Sequence, residues 1–365
     1  MAETKAVNDR PSILSRSYHN SAFKDKKRLV ELKQAKNLTI SLAFPTLNEE
    51  ATIAKEVLVI KTELMDRFPL IDEIAVIDSG STDKTRETAR RFGAKVFDSA
   101  AILPKYGSFR GKGENLWKSL YVLKGDIIVW IDADISNINP KFLYGLVGPL
   151  LEDDGIGYVK AFYKRPIRTA TGLTPSGGGR VTEILVRPLF SLFYPELAEL
   201  VQPLSGEYAG RRSILERLSF SVGYGVEVGH LIDLFHMFGP SILAQVDMEE
   251  RIHRNQSIEA LSRMSYGILA TFLDRLEKYG EISLLKELGK RHIALTADEE
   301  TWKPVLSEIS MVERPPMLTI PEYLARFPAA AAAPAGSAGG EAPEDPSRRT
   351  RKGIEQERLR ALRPP

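Results

Sequence analysis

The sequence has no cysteine among its 365 residues. That absence excludes a disulfide framework, a thiolate-ligated zinc or iron–sulfur centre, and a thiol nucleophile. Long apolar runs are missing too. Stretches such as Ile127–Ile131 fall far short of the roughly 20 residues that cross a bilayer. The amino terminus, MAETKAVNDR, lacks the apolar stretch of a secretory signal. A soluble, cytoplasmic protein is expected. Neither sign of charge dominates: 50 Lys and Arg stand against 48 Asp and Glu, a formal net charge of +2. That balance offers no general argument for a nucleic-acid or membrane partner. No internal repeat is present.

What the chain does have is an ordinary globular composition, 43% hydrophobic and 27% charged, enough to build a core without staples. Residues 1–37 are charged and show no sustained period, and read as a surface arm with room for one helix. From residue 38 the pattern becomes regular. Leu38–Phe44 reads as a buried strand, and Ile74–Ile77, Ala94–Phe97 and Asp126–Ile131 read as the second, third and fourth strands. Between them, helical spacing runs through Ile53, Val57, Ile60 and Leu64, through Thr85–Phe92, and through Leu116, Leu120 and Leu123. This alternation predicts an α/β fold, a mostly parallel sheet with helices on both faces. Further on, Gly157–Tyr163 and Ser241–Val246 suit strands; Val181–Phe193, Gly225–Phe238 and Ile258–Lys278 suit helices. Residues 328–365, rich in Ala, Pro, Gly and charge, read as a disordered tail. One domain over 38–327 is expected, with a nucleotide-binding half (38–135) and a helix-rich, acceptor-binding half (136–327).

Parallel sheets bind ligands at the carboxyl ends of their strands. The first exit, FPTLNEE, matches neither GxGxxG nor GxxxxGK[ST], so the usual dinucleotide and P-loop cradles are missing there. The second, DSGSTD, serves equally as a helix-capping turn or a ligand-facing one. The fourth carries Asp132 and Asp134 just beyond IIVWI. Two carboxylates so placed can share a hard divalent cation, or simply form an acidic surface turn. Lys112 in RGKGE can set a positive charge beside phosphates, or lie solvated in a loop. Gly177–Gly179 followed by Arg180 and Thr182 offers backbone donors and a guanidinium to an anion, or a hinge. Glu207 and Glu227 can orient sugar hydroxyls or be structural acids.

Taken in order, FPTLNEE, VIDSGSTDKT, RGKGENLW, VWIDADI, GGGRVTEILVRPLF, QPLSGEYAG, GYGVEVG and RIHRN resemble the retaining GT-A glycosyltransferases that make glucosyl- or mannosyl-3-phosphoglycerate. The resemblance spans roughly residues 38–316. It implies that Pro45, Thr46, Leu47, Glu49 and Ser79 hold the nucleotide, with Lys112 at its phosphates. It further implies that Asp134 and His253 ligate Mg²⁺ or Mn²⁺ and that Asp132 faces the sugar-nucleotide. Gly179, Arg180, Thr182, Tyr224, Arg251 and Asn255 would bind the acceptor. The family usually has Ala at position 46 and Ser at position 133.

The expected catalytic set is therefore Asp132, Glu227 and Asn255. The expected reaction carries glucose from a nucleotide donor, UDP-glucose being favoured, to the 2-hydroxyl of 3-phosphoglycerate, with anomeric configuration retained. GDP-mannose as donor is the alternative. A nucleotidylyltransferase would want a glycine-rich basic loop near the first strand. A non-catalytic sugar-nucleotide-binding module would have no need of Asp132, Asp134 and His253 together. A lipid glycosyltransferase would want a membrane anchor. The family resemblance also implies a homodimer.

Overall fold

The computed structural model describes residues 12–164, 167–169, 172–174, 179–252, 256–298 and 301–328. One sheet is built from β1 (Ser17–His19), β2 (Ile40–Thr46), β3 (Glu73–Asp78), β4 (Lys95–Asp98), β5 (Ile127–Trp130), β6 (Tyr158–Lys164), β9 (Tyr208–Arg211) and β11 (Leu243–Glu250). Its eight strands lie in the order β1-β11-β6-β9-β5-β2-β3-β4. Three separate pairs complete the strands: β7 (Ile167–Thr169) with β8 (Gly172–Thr174), β10 (Phe220–Ser221) with β14 (Glu313–Arg314), and β12 (Arg291–Asp298) with β13 (Thr301–Glu308). Within the large sheet only β9 runs antiparallel, against both β5 and β6. The expected α/β architecture is the one the chain forms.

β5 shows how sequence becomes layers. Its side chains alternate between two cores, Ile128 and Trp130 facing one, Ile127 and Val129 the other. Both faces are covered, so the strand is apolar throughout instead of alternating with polar residues. Helices Lys112–Val122 and Val226–Phe238 pack Trp117, Leu120 and Leu231 on the Trp130 side. Helices Ile53–Lys61 and Lys141–Glu152 pack Val57, Ile60, Phe142 and Val147 on the other. Each such large apolar side chain contributes about 1.5–3 kcal/mol on burial.

Three elements depart from expectation. The segment read as a surface arm is part of the body: β1 pairs in parallel with β11, and Ile13, Phe23 and Leu29 are buried. Its few apolar residues, spread among many charges, show no sustained period. Helix Lys141–Glu152 was not anticipated because it is apolar on nearly every side, with Phe142, Leu146, Leu150 and Leu151 all buried, and so presents no polar stripe. β9 is four residues long, too short to register as a pattern. Yet β9 matters most for the site. Because it runs opposite to β5, with Tyr208 beside Trp130, it enters the sheet where β5 leaves it. The LSGE segment therefore arrives at the same edge as the strand exits.

Candidate active site

At that carboxyl edge opens a cleft of about 740 Å³. The first two exits that contribute to it are stapled together. Asn48, held at φ 58°, donates its backbone N–H to Ser81 Oγ at 2.8 Å, while its side-chain oxygen accepts from the Thr82 N–H at 2.9 Å. Asp78 caps the DSG turn, accepting from the N–H groups of Gly80 and Ser81 at 3.1 and 2.9 Å. The turn is capped as expected, Asp78 being fully buried, while Ser79 lines the cleft.

Fourteen of the expected residues border this cleft: Pro45, Thr46, Leu47, Glu49, Ser79, Lys112, Asp132, Asp134, Gly179, Arg180, Thr182, Tyr224, Glu227 and Arg251. His253 and Asn255 lie outside the described residues, as do Gly177 and Gly178. Glu207 is buried behind the cleft, accepting from Tyr163 Oη at 2.5 Å and pairing with Arg251 Nη1 at 3.3 Å. The Thr46 hydroxyl turns inward to Asp78 Oδ2 at 3.2 Å.

Charge alternates through the centre. Lys112 opens helix Lys112–Val122, and its Nζ lies 2.5 Å from Asp132 Oδ1 and 3.1 Å from Glu227 Oε1. Burial alone would push its pKa down; Asp132 and Glu227 outweigh that and hold it above the ordinary lysine value. Lys112 is therefore a fixed cation and no solvated loop lysine. Arg251 Nη2 lies 3.2 Å from Asp132 Oδ2 and 2.6 Å from Asp134 Oδ1. The two acids thus converge on one cationic point, and oxygen donors suit a hard divalent ion. Among the described residues no group of three or more His, Cys, Asp or Glu side chains gathers to hold a metal.

Two glycines fix this geometry. A Cβ on Gly206 would lie 1.8 Å from Asp132 Oδ2, so only glycine lets the carboxylate rest where it does. Gly179 adopts φ +83°, and its carbonyl accepts from the Glu183 N–H at 3.0 Å, starting the helix that carries Arg180 and Thr182. Arg180 reaches across to the Gln256 carbonyl at 3.0 Å.

Sequence reasoning passed over Asn115, which lies one helical turn from Lys112, donates to the Ile77 carbonyl at 2.8 Å and accepts from Ser79 Oγ at 3.0 Å. The i, i+3 spacing was the available signal. Nothing in the sequence marked the far end of the cleft, formed by Arg263, Met264, Thr271 and Asp274 of helix Ile258–Lys278 with Ser307–Met311. The histidines outside RIHRN have other settings. His230, for example, is buried edge-on to Phe220, 4.3 Å between ring centres.

Residues 41–218 match the glycosyl transferase family 2. Glucosyl-3-phosphoglycerate synthase from Petrotoga mobilis is 60% identical over 316 residues, covering 87% of this chain and 97% of that one. The chain belongs to the glucosyl-3-phosphoglycerate synthase family. Among solved structures, mannosyl-3-phosphoglycerate synthase from Rubrobacter xylanophilus superposes with a TM-score of 0.78 at 37% identity, covering 84% of this chain and 98% of that one. Glucosyl-3-phosphoglycerate synthase from Mycobacterium tuberculosis, in complex with Mn²⁺, UDP-glucose and phosphoglyceric acid, gives a TM-score of 0.69 at 41% identity over 80% of this chain and 94% of that one. The M. tuberculosis enzyme is also known with Mg²⁺ and UDP. The GT-A-like fold expected from the motifs is thus the fold of the glucosyl-3-phosphoglycerate synthases.

Proposed function

We propose that this chain is a metal-dependent glucosyl-3-phosphoglycerate synthase, moving glucose from UDP-glucose to the 2-hydroxyl of 3-phosphoglycerate. One cleft bordered by both the acid pair of the nucleotide half and the Gly179–Arg180–Thr182 turn of the acceptor half carries this reading. Pro45, Thr46, Leu47, Glu49 and Ser79 border the nucleotide end, with Thr46 contributing its backbone because its hydroxyl serves Asp78. Lys112 faces the diphosphate. Asp134 and His253 would hold Mg²⁺ or Mn²⁺, which would supply positive charge against that of the departing diphosphate. Gly179, Arg180, Thr182 and Tyr224 receive the phosphate and carboxylate of the acceptor, with Asn255 near its hydroxyl. Arg251, held by Asp132, Asp134 and Glu207, joins the two halves.

Retention of configuration belongs to the same proposal. Asp132 and Glu227 are the carboxylates nearest Lys112, and its ammonium lowers the nucleophilicity of both. That favours displacement on the face from which the diphosphate leaves, with the diphosphate helping to deprotonate the acceptor. A homodimer is proposed as well, because one face of the β12–β13 hairpin exposes a row of apolar side chains, with the Arg291–Glu308 pair at its end. A cytoplasmic location fits two phosphorylated substrates that do not cross membranes unaided.

The 37% identity to a mannosyl-3-phosphoglycerate synthase keeps GDP-mannose as a second donor to test. A panel of nucleotide sugars, supplied with 3-phosphoglycerate and Mn²⁺, separates the two. UDP-glucose should be consumed fastest, and proton NMR of the product should show an α-anomeric coupling. Preference for GDP-mannose would select the second reading, and no turnover with any donor would refute both.

A further inference from the structure

The turn bearing Asp132 and Asp134 is held from two sides by side chains that do not border the cleft. On one side, Glu56 of helix Ile53–Lys61 is fully buried and accepts from the Ile135 N–H at 2.8 Å. Thr52, at the start of that helix, donates to the Ala133 carbonyl at 2.5 Å. The donor and acceptor groups immediately flanking Asp134 are thus both taken. On the other side, Asn137 behaves as a one-residue strand partner for the exit of β11. Its Nδ2 donates to the Glu250 carbonyl at 2.9 Å, and its Oδ1 accepts from the Ile252 N–H at 2.9 Å. These bonds straddle Arg251. A backbone bond from the Ser136 N–H to the Ile252 carbonyl at 3.1 Å completes the ladder.

Why such a turn needs holding follows from charge. Asp132 and Asp134 repel each other at one residue's separation, and a short turn has no helical or sheet hydrogen bonds of its own to resist. Glu56 bonds one amide beyond Asp134; Asn137 bonds on both sides of Arg251, the cation on which the two acids converge. Displacing either clamp would shift a carboxylate relative to its partner without removing any group from the cleft.

We propose that Glu56 and Asn137 are positioning residues that set the spacing between the acidic turn and the Glu250–Ile252 segment that carries Arg251, and through it the affinity of the site for a divalent cation. The proposal rests on the synthase reading for its cation, but its geometry can be tested apart from turnover. Side chains that orient metal ligands from behind change affinity by roughly 10–100-fold when removed. Burial pushes the Glu56 carboxyl well above the usual carboxylate range. Glutamine is therefore a close substitute, able to accept from the Ile135 N–H in the same way.

Three measurements on the full chain test this. Mn²⁺ binding in the presence of UDP is read by electron paramagnetic resonance, deuterium uptake by mass spectrometry on the peptide spanning residues 131–137, and thermal midpoints report on folding. Glu56→Leu and Asn137→Ala should each weaken Mn²⁺ binding about tenfold and speed exchange in that peptide. Glu56→Gln should stay within about threefold of wild type. Thr52→Val, a milder change, serves if Glu56→Leu fails to fold, and should weaken binding in the same direction. Folded Glu56→Leu or Thr52→Val together with Asn137→Ala showing wild-type Mn²⁺ affinity and wild-type exchange would overturn the proposal. Loss of affinity in Glu56→Gln equal to that in Glu56→Leu would overturn it too, since charge and not the hydrogen bond would then be at work. If wild-type protein turned over without metal, the functional reading would fall, while the exchange measurements would still decide whether the clamp exists.

Discussion

At the scale of single residues, what decides this site is how closely a carboxylate can approach the backbone beside it. Asp132 sits against Gly206, where an added Cβ would meet Oδ2 at 1.8 Å. Gly206→Ala would push the carboxylate off Lys112 and Arg251. A displacement of about 1 Å at a reacting centre can cost about 100-fold in rate. Steady-state kinetics on Gly206→Ala should therefore show kcat/KM reduced by about that factor with UDP still bound; an unchanged rate would mean that Asp132 need not hold this position. Lys160 supplies a second residue-scale prediction. Its Nζ is buried, donates to the Ser205 carbonyl at 2.6 Å and lies 4.3 Å from the Tyr208 ring centre. Burial pushes it down to about 7, Glu227 offsetting part of the effect, whereas an unfolded lysine titrates near about 10.4. Between those values the unfolded chain binds the proton and the folded chain releases it, so stability rises with pH across that window. The slope reaches about 1.4 kcal/mol per pH unit, and below the lower value it vanishes. Urea midpoints at several pH values across this window should climb less steeply in Lys160→Met than in wild type. Equal slopes would exclude Lys160 as their source.

At the scale of elements, buried charges tie the helices and the last strand of the 136–327 half to one another. Arg275, fully buried on helix Ile258–Lys278, pairs with Asp233 of helix Val226–Phe238 at 3.0 Å and with Glu313 of β14. Breaking a buried pair from one side typically costs about 3–5 kcal/mol, because the partner's charge is left uncompensated. Arg275→Ala should lower the unfolding free energy by about that amount, read by urea titration, and a loss below about 1 kcal/mol would show that the network relaxes around the gap. No spacing rule announces this arginine, which looks like any other charge on an amphipathic helix. The nucleotide half was far more legible. Its strands β2, β3 and β5 are apolar runs that end at FPTLNEE, DSGSTD and IDADI, and residues at such exits answer to a cleft more than to packing. Eight of the fourteen expected residues that border the cleft come from this half. Where packing rules instead, the signal fades. Helix Lys141–Glu152 hides its period by being apolar all round, β9 is too short to show one, and Asn137 looks like a loop asparagine until β11 is placed beside it. The β12–β13 hairpin is hard to read for another reason: its alternation is present, but no Gly or Asn stands between Asp298 and Thr301 in the sequence.

At the scale of the whole molecule, that hairpin is the feature a single chain leaves unexplained. Its register sets Ile293 opposite Leu306, Leu295 opposite Pro304 and Ala297 opposite Trp302, so all six side chains share one face. Leu295 is 64% exposed and Trp302 70%. A contiguous apolar face of this kind marks an interaction surface. A second copy of the chain is the occupant that the proposed homodimer supplies. Two such faces meeting across a twofold axis would pair the same residues reciprocally. Light scattering after size exclusion should give wild type twice the chain mass. Trp302→Lys would place an unpaired ammonium in the middle of that contact, and the same measurement should then give the mass of one chain at micromolar concentration. The circular dichroism of the variant should stay wild-type, because the mutated side chain is exposed in the isolated chain. A wild-type protein that runs as a monomer would sink the dimer. A Trp302→Lys variant that remains dimeric would move the interface elsewhere and leave the hairpin face in need of another partner.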